Sequence, residues 1–235
     1  MFEQNEPDIP VGEALIELMM KKSVLKFGEF TLKSGRISPY FANFGFFNTG
    51  DSLGKLGELY ARKVIELFAG NFDVIFGPAY KGIPLATHTA MAFSRSGADC
   101  PWAFNRKEAK DHGEGGSIVG ADIRGKRVLI VDDVITAGTA IGEAVEIIRQ
   151  AGGTPMGVLV AFDRMEKGKE SDFSAVQESR KKYGIPVVAI ATLDDLFAYL
   201  EKIPAESGDD ETGELIERMK DYRAQYGADY SDTPS

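Results

Sequence analysis

The hydrophobic positions of the first third of the chain predict a helix, a β-hairpin and a second helix. In residues 11–22, apolar side chains recur at helical spacing and lysines follow them, which is typical of a helix that buries one face. Two aromatic-rich runs within residues 27–44 flank a turn of sequence KSGR and indicate two paired strands. Asp51 or Ser52 can cap a further helix that runs to about Phe68.

From residue 73 onward, short apolar runs alternate with helical patterns. Strands that are apolar on both faces and are separated by helices indicate a parallel sheet covered on both sides. Such sheets bind ligands beyond the carboxyl ends of their strands. The sequence therefore predicts an α/β fold with a mainly parallel central sheet, and its predicted strands are 73–77, 128–131, 156–162 and 186–190, with helices at 83–93, 139–150, 174–183 and 193–202.

Two segments do not fit this alternation. Residues 105–120 are polar and contain four glycines, so we expect a long loop that acts as a lid. A hydrophilic linker then leads to a helix over 214–226 whose apolar stripe should dock on the body or on a partner, and residues 229–235 should fray. We expect one domain that comprises an N-terminal hood with the hairpin (1–50), an α/β core (51–204) and an acidic C-terminal helical extension (205–235).

The net charge of −9 comes from the two ends of the chain. Residues 1–10 contribute −3 and residues 205–235 contribute −6, so residues 11–204 carry 24 acidic and 24 basic side chains. With 235 residues, 43% of them hydrophobic, the chain can bury a sizeable core without disulfides. A neutral body with acidic ends argues against a general nucleic-acid surface. We therefore expect small-molecule partners and no nucleic acid.

The few cysteines and histidines limit metal and disulfide chemistry. Cys100 is the single cysteine, and His88 and His112 are too few for a transition-metal site. We expect His88 to be a packed or half-exposed helix residue and Cys100 a core residue. No apolar run approaches the roughly 20 residues that span a bilayer, and the first residues are acidic where a signal peptide would be basic. These features predict a cytoplasmic protein with no membrane partner.

The segment 128–140 carries the clearest sign of chemistry. A buried strand ends in Asp132 and Asp133, and a turn of sequence TAGT follows at the start of a helix. The carboxylates can accept hydrogen bonds from sugar hydroxyls, while the amides and hydroxyls of the turn can bind a phosphate. Alternatively, the two acids only end a strand and cap a turn, but their pairing with this turn favours a ribose-phosphate site. Neither of the common phosphate motifs, GxxxxGK[ST] and GxGxxG, is present.

This segment resembles the phosphoribosyl-diphosphate (PRPP) motif of the type I phosphoribosyltransferases, and other segments resemble the members of that family that act on orotate. The resemblance covers about residues 24–200, and the segments that carry it are FGEFTLKSGR (27–36), SPYF (38–41), FGPAYKGIPLA (76–86), FNRKEAKDHGEGG (104–116) and VDDVITAGTA (131–140). It implies the type I phosphoribosyltransferase fold. It also implies transfer of the 5-phosphoribosyl group from PRPP to N1 of orotate, which gives orotidine 5'-monophosphate and diphosphate in pyrimidine synthesis.

The resemblance also implies which residues bind PRPP. Lys81 is expected to meet the diphosphate, and Lys110 is expected to stabilise it as it leaves. Asp133 is the second catalytic candidate, as a base, although sugar binding is its first expected role. The expected PRPP-binding residues are Lys33, Tyr80, Lys81, Arg106, Lys107, Lys110, His112, Asp132, Asp133, Val134, Ile135, Thr136, Ala137, Gly138, Thr139 and Ala140.

For orotate, a planar anion with a carboxylate, an aromatic face, a lysine and an arginine are suitable partners. By resemblance, the expected orotate-binding residues are Lys33, Phe41, Ala42, Tyr80, Lys81, Thr136 and Arg164. Lys33 belongs to both sets because it can contact either substrate. Ala42 stands where we expect bacterial relatives to carry a second Phe, which favours a backbone contact over a side-chain contact there.

The resemblance further implies Mg²⁺ as cofactor, held mainly through PRPP, and a homodimer in which the lid residues 106–112 reach the neighbouring site. Two other functions stay open. One is a PRPP-sensing regulator that binds RNA, DNA or a partner, and the other is the same transfer to a purine or uracil. The lid favours catalysis, because a sensor need not enclose a leaving group. Lys33 and Arg164 favour a base that carries a carboxylate.

Overall fold

The computed structural model describes residues 9–68, 70–110, 116–135, 138–168, 171–203 and 211–230. Helices and strands alternate along the core, as the hydrophobic pattern predicts. In chain order the elements are α1 (Val11–Lys21), β1 (Leu25–Thr31), β2 (Ile37–Ala42), a 3-10 turn (Phe44–Phe46), α2 (Gly50–Phe68), β3 (Val74–Gly77), α3 (Gly82–Arg95), β4 (Trp102–Lys110), β5 (Gly116–Gly120), β6 (Arg127–Asp132), α4 (Thr139–Gln150), β7 (Thr154–Asp163), α5 (Ala175–Tyr183), β8 (Val187–Thr192), α6 (Leu193–Leu200) and α7 (Glu211–Tyr226).

Strands β3 to β8 form one sheet, in the order β5-β4-β3-β6-β7-β8. Neighbouring strands are parallel except for β4 and β5, which are antiparallel. From the adjacent strands β3 and β6, the chain continues toward opposite edges of the sheet. This arrangement is a topological switch point, where α/β sheets bind ligands beyond the carboxyl ends of their strands.

The sheet separates two hydrophobic clusters, because successive side chains of a strand point to opposite faces. On one face, Leu129 and Val131 of β6 pack with residues of α1, α2, α3, α6 and α7. On the other face, Val128 and Ile130 pack with residues of α4 and α5. Burial on both faces explains why the predicted strands are continuous apolar runs.

The hood contains the predicted hairpin, in which β1 and β2 pair antiparallel outside the main sheet. The predicted cap of α2 is wrong by two or three residues. The Thr49 Oγ1 atom accepts the Ser52 backbone N–H at 3.2 Å, and the Ser52 Oγ atom accepts the Thr49 N–H at 3.2 Å. Thr49 therefore caps the helix, and Ser52 closes the reciprocal bond from within the first turn.

The prediction of a loop over residues 105–120 is wrong. Strand β4 continues to Lys110 and β5 begins at Gly116, and the two pair antiparallel at the edge of the sheet. We call these two strands the arm; residues 111–115 lie outside the described part. An edge ribbon leaves many side chains in solvent, so its sequence lacks the apolar run of a central strand.

The C-terminal helix α7 docks on the body, as its apolar stripe predicts: Leu215, Met219 and Tyr222 are buried. The predicted fraying is wrong for the first two residues of the tail. The carbonyl oxygen of Asp229 accepts from Gln177 at 2.7 Å, and the Tyr230 hydroxyl donates to a buried aspartate of β7. These partners are more than 50 residues away in sequence, so no local pattern reveals them. Within the described ranges, no helix has the length and apolar character to cross a membrane.

Candidate active site

The switch point brings a lysine and a carboxylate together. Lys81 follows β3 and Asp133 follows β6, and the distance from Lys81 Nζ to Asp133 Oδ2 is 2.7 Å. The Asp133 side chain is 8% exposed, whereas that of Lys81 is 64% exposed and the neighbouring Tyr80 is 71% exposed. An ion pair this open adds little to stability. The cation is therefore placed where an anionic ligand can reach it.

The turn from β3 into α3 requires glycine at Gly77. A Cβ atom there would lie 2.0 Å from the carbonyl oxygen of Gly82, which leaves no room for a side chain. The turn is also tied to β4, because the backbone N–H of Ala79 donates to Oδ1 of the buried Asn105 at 2.9 Å. These contacts fix the backbone that carries Lys81.

Asp132 is buried beside Asp133 and has a strongly shifted pKa. Burial raises the pKa of Asp132 to about 7, and the negative charge of Asp133 adds to this effect. The Tyr60 hydroxyl of α2 donates to the backbone carbonyl of Asp132 at 2.6 Å, and the Asp133 N–H donates to Asp132 Oδ1 at 2.9 Å. A carboxyl group that titrates near neutrality can both donate hydrogen bonds to sugar hydroxyls and accept them.

The turn after β6 ends at the N-terminus of α4, where free backbone N–H groups and the helix dipole favour an anion. Gly138 precedes the helix with a φ of 67°, a left-handed conformation that glycine adopts without strain. A cleft of about 360 Å³ opens here, lined by residues that include Thr139, Gly142, Glu143 and Lys182. Of the other expected residues of this turn, Val134 and Ile135 are half-buried and Ala140 is exposed, whereas Thr136 and Ala137 lie outside the described residues.

The arm carries part of the expected lid. Arg106 is half-buried and Lys107 is exposed, and Lys107 Nζ lies 3.8 Å from Oε2 of Glu143 on α4. The arm therefore reaches the N-terminal half of α4 in the same chain. Lys110 is the last residue of β4; its side chain lies outside the described part of the chain, as does His112.

Arg164 follows β7 and packs beneath the hairpin. Its Nε donates to Glu166 Oε1 at 2.8 Å and its Nη2 donates to Ser38 Oγ at 2.9 Å. The guanidinium carbon lies 4.1 Å from the centroid of the Tyr40 ring, a cation–π contact. These contacts, with the hydroxyl of Tyr222 nearby, orient the guanidinium at the base of the hairpin.

The expected orotate residues of the hairpin are only partly gathered around Arg164. Lys33 is exposed in the turn, and Ala42 is half-buried at the end of β2. The Phe41 ring is 38% exposed and stacks on Phe30, with ring centroids 5.6 Å apart. Because side chains alternate along a strand, Phe41 points away from the face of β2 that contacts Arg164. The structure thus brings the arginine to the hairpin but does not bring the Phe41 ring to the arginine.

Sequence reasoning missed three residues that hold the site: Tyr60, Asn105 and Glu166. Asn105 carries a recognisable signal, since it is a polar residue that directly follows the apolar start of a strand, as Asp132 does. Tyr60 looks like an ordinary apolar-face residue of its helix, and Glu166 looks like an ordinary loop acid. Their roles depend on contacts between elements that are distant in sequence.

Cys100 is buried and His88 is half-buried on its helix, as predicted. The Nδ1 atom of His88 lies 2.8 Å from the carbonyl oxygen of Pro84, one turn earlier in α3. Burial raises the pKa of Cys100 to about 12, so its thiol stays protonated. Neither residue contributes a reactive group to the switch point.

The donors at the switch point fit a hard divalent cation held mainly by a substrate. Asp132 and Asp133 are adjacent carboxylates, and Mg²⁺ typically binds one or two carboxylates together with substrate phosphates and water. In the part of the chain that the structure describes, no group of three or more His, Cys, Asp or Glu side chains could hold a metal ion. The described residues therefore offer carboxylate oxygens but no complete cage.

Comparison with known proteins defines the class. Residues 49–189, more than half of the chain, match the family described as "Phosphoribosyl transferase domain". With the open α/β sheet and the carboxylate pair before the N-terminus of α4, this match identifies a phosphoribosyltransferase enzyme of type I fold.

Individual relatives show to which group of phosphoribosyltransferases the chain belongs. The chain is 57% identical over 209 residues to the orotate phosphoribosyltransferase of Thioalkalivibrio sulfidiphilus, with 88% of this chain and 94% of that protein covered. It is 55% identical over 215 residues to that of Marinobacter nauticus, with coverages of 92% and 97%. The crystal structure of orotate phosphoribosyltransferase from Francisella tularensis aligns with a TM-score of 0.80 at 42% identity and covers 91% of this chain and 98% of its own. The chain belongs to the orotate phosphoribosyltransferase family.

Proposed function

We propose that this enzyme transfers the 5-phosphoribosyl group from PRPP to N1 of orotate, which yields orotidine 5'-monophosphate and diphosphate in pyrimidine biosynthesis. The observation that carries the proposal is the Lys81–Asp133 pair, 2.7 Å apart at the β3–β6 switch point. It places a cation and a buried carboxylate beside the N-terminus of a helix, which suits a sugar that bears phosphates at both ends. Membership of the family supports orotate as the acceptor.

In this proposal the core (51–204) binds PRPP. The 5-phosphate lies at the N-terminus of α4, where the turn 134–140 supplies backbone N–H groups. Asp132 and Asp133 accept hydrogen bonds from the ribose hydroxyls. The diphosphate meets Lys81 on one side. Arg106, Lys107 and Lys110 of the arm, together with His112, approach it from the other.

The hood (1–50) and Arg164 bind orotate. The guanidinium of Arg164 donates to the carboxylate of the base, while Glu166 and Ser38 orient it. Lys33 contributes a second cation from the hairpin turn. Phe41 and Ala42 contribute backbone contacts, which agrees with the outward direction of the Phe41 ring.

The reaction is a displacement at C1 of the ribose. The C1–oxygen bond to diphosphate breaks with its electron pair, the N1–C1 bond forms, and the N1 proton of orotate passes to Asp133 or to solvent. Positive charge develops on the sugar and negative charge on the leaving group, so the enzyme acts by positioning the two substrates and stabilising charge. Lys110 stabilises the departing diphosphate. Bound Mg²⁺ would supply further charge neutralisation at the phosphates, next to Asp132 and Asp133.

We also propose a homodimer in the cytoplasm. Ile65 and Leu67 on α2 and Met91 on α3 are between 43% and 48% exposed, and exposed apolar side chains on two helices in mutual contact support a protein interface. The arm lies at the sheet edge, from which it can reach a neighbouring site. The single cysteine of the sequence agrees with a reducing compartment.

The activity is tested by following the absorbance of orotate in the presence of the purified protein. Orotate should be consumed only when both PRPP and Mg²⁺ are added, and an excess of a chelator should stop the reaction. A double variant, Asp132→Asn with Asp133→Asn, is the matched control that should keep the fold and lose PRPP binding. Absence of orotate loss with the folded wild-type protein under all these conditions would overturn the proposal.

A further inference from the structure

The last described residues, 226–230, run along the segment that carries Arg164, and we call them the strap. The strap pairs antiparallel with that segment at Glu166 and Gly227. The Lys167 N–H donates to the carbonyl of Tyr226 at 2.8 Å, and the Ala228 N–H donates to the carbonyl of Met165 at 2.8 Å. Two backbone hydrogen bonds therefore fix the register of residues 165–167 from the C-terminal side.

The strap ends in a side-chain anchor on the other side of Arg164. The Tyr230 hydroxyl donates to Oδ2 of the buried Asp163 at 2.5 Å and contacts the hydroxyl of Ser174, the capping residue of α5. The other oxygen of Asp163 accepts the Met165 N–H at 2.8 Å. Asp163 and Met165 flank Arg164, so the strap holds the backbone on both sides of the arginine.

The hood holds the same segment from the opposite side. The guanidinium of Arg36 donates from Nη1 to the carbonyl of Lys167 at 2.9 Å and from Nη2 to that of Gly168 at 3.2 Å. It also lies 4.8 Å from the centroid of the Tyr226 ring. The segment 164–168 is thus clamped between the hairpin and the strap.

We infer that the strap positions Arg164 for the carboxylate of the base, and that Tyr230 is a positioning residue for the reaction. This inference rests on the proposed contact between Arg164 and orotate. The strap acts on Arg164 in two ways. It pairs with the backbone of Glu166, and the Glu166 side chain orients the guanidinium of Arg164. Through Tyr230 it also holds Asp163, the residue directly before Arg164. Loosening the strap should therefore weaken the binding of orotate without affecting the PRPP site at the switch point.

The test is Tyr230→Phe, which removes one hydroxyl and keeps the ring. We expect the KM for orotate to rise about threefold to tenfold, the range that corresponds to one buried hydrogen bond. The KM for PRPP and kcat should stay within about twofold of wild type, because the variant leaves the transition-state contacts intact. The matched control is Tyr199→Phe on α6, whose hydroxyl makes no hydrogen bond with any described residue and whose loss should change neither KM.

A double-mutant cycle with Arg164→Lys separates this inference from the proposed function. If Arg164→Lys leaves the KM for orotate unchanged, the proposed role of Arg164 fails. If Arg164→Lys raises that KM, the Tyr230→Phe effect should shrink to within about twofold in the Arg164→Lys background, since coupled residues do not act additively. An unchanged KM for orotate in Tyr230→Phe, an equal rise in both KM values, or additive effects in the cycle would overturn the strap's role. Removal of residues 229–235 gives a second variant, for which we again expect a raised KM for orotate and a nearly unchanged KM for PRPP.

Discussion

Asp132 and Asp133 are neighbours in sequence, but the fold gives them different electrostatic surroundings. Asp133 lies 2.7 Å from the ammonium of Lys81. Asp132 is enclosed at the end of β6, where burial raises its pKa to about 7. In the free enzyme near neutral pH, the pair therefore holds one carboxylate in an ion pair and one carboxyl group that exchanges a proton. Such a pair can adapt to both hydroxyls of a ribose.

Asp132→Asn should remove a pH dependence of stability. Between about pH 4 and pH 7 the folded state keeps a proton on Asp132 that the unfolded state has released, so the unfolded state binds fewer protons and stability falls as the pH rises. A pKa raised from 3.8 to about 7 corresponds to a loss of at most about 4 kcal/mol across this range. Urea unfolding at pH 5 and pH 8 should show a smaller decline for Asp132→Asn than for wild type.

Asp73→Asn is the control for this prediction. The Arg127 guanidinium and N–H groups lower the pKa of Asp73 to about 2, so its stabilising contribution is fully present above the unfolded pKa and is lost only in strong acid. Asp73→Asn should lower stability equally at pH 5 and pH 8 and leave the slope between them unchanged. Equal slopes for wild type and Asp132→Asn would contradict the raised pKa of Asp132.

Among individual residues, the sequence predicts those whose role follows from a local motif. Asp132 and Asp133 stand at the end of an apolar run and Lys81 stands four residues after another, where the carboxyl edge of a sheet is expected. Tyr60 and Glu166 cannot be found in this way. Tyr60 acts through the backbone carbonyl of Asp132 on another element. Glu166 acts on Arg164 from a backbone that the strap holds in place.

Among the elements, the arm differs most from its prediction, because β5 is an edge strand and only Trp102–Phe104 of β4 pair with β3. Its sequence is polar and glycine-rich, and only the pairing of β4 with β5 shows that these residues form strands. The central strands and the amphipathic helices were predicted closely, since burial on one or both faces imposes a period on the sequence. The arm escapes that rule because, beyond Phe104, β4 pairs with β5 alone among the described strands and is not enclosed in the sheet.

Lys110→Ala tests the role of the arm. If Lys110 stabilises the leaving diphosphate, kcat should fall by about 100-fold or more, as for other groups that stabilise developing charge. The KM for orotate should change by less than about threefold, because the lysine does not contact the base. Lys126→Ala is the control, since Lys126 precedes β6 at the amino end of the strand, away from the switch point, and should leave both parameters unchanged. Equal losses in kcat and in orotate binding would argue against a leaving-group role.

For the whole molecule, the distribution of charge agrees with two anionic substrates despite a net charge of −9. The acidic excess lies in residues 1–10 and 205–235, and the remainder is neutral. The fold then places three cations at the carboxyl side of the sheet. Lys81 follows β3, Arg164 follows β7, and Lys107 lies on the arm. The sequence predicts the alternation of strands and helices, but not the strand order that creates the switch point, since that order depends on which way each crossover leads.

A mixing experiment tests whether two subunits share each site. Lys110→Ala and the double variant Asp132→Asn, Asp133→Asn should each be inactive alone. In a mixed dimer with exchanged arms, one site would contain all the defects and the other none, so random reassociation should restore up to about a quarter of wild-type activity. Activity that stays at the level of the separate variants, after exchange of subunits is verified, would show that each site uses the arm of its own chain.

The central claim is transfer to orotate, and a competition among bases tests it most directly. The purified protein, PRPP and Mg²⁺ are combined with orotate, uracil, hypoxanthine and adenine at equal concentrations, and each base is quantified by chromatography. We predict that orotate alone disappears, with one diphosphate released for each orotate consumed. Consumption of another base while orotate remains untouched would contradict the account.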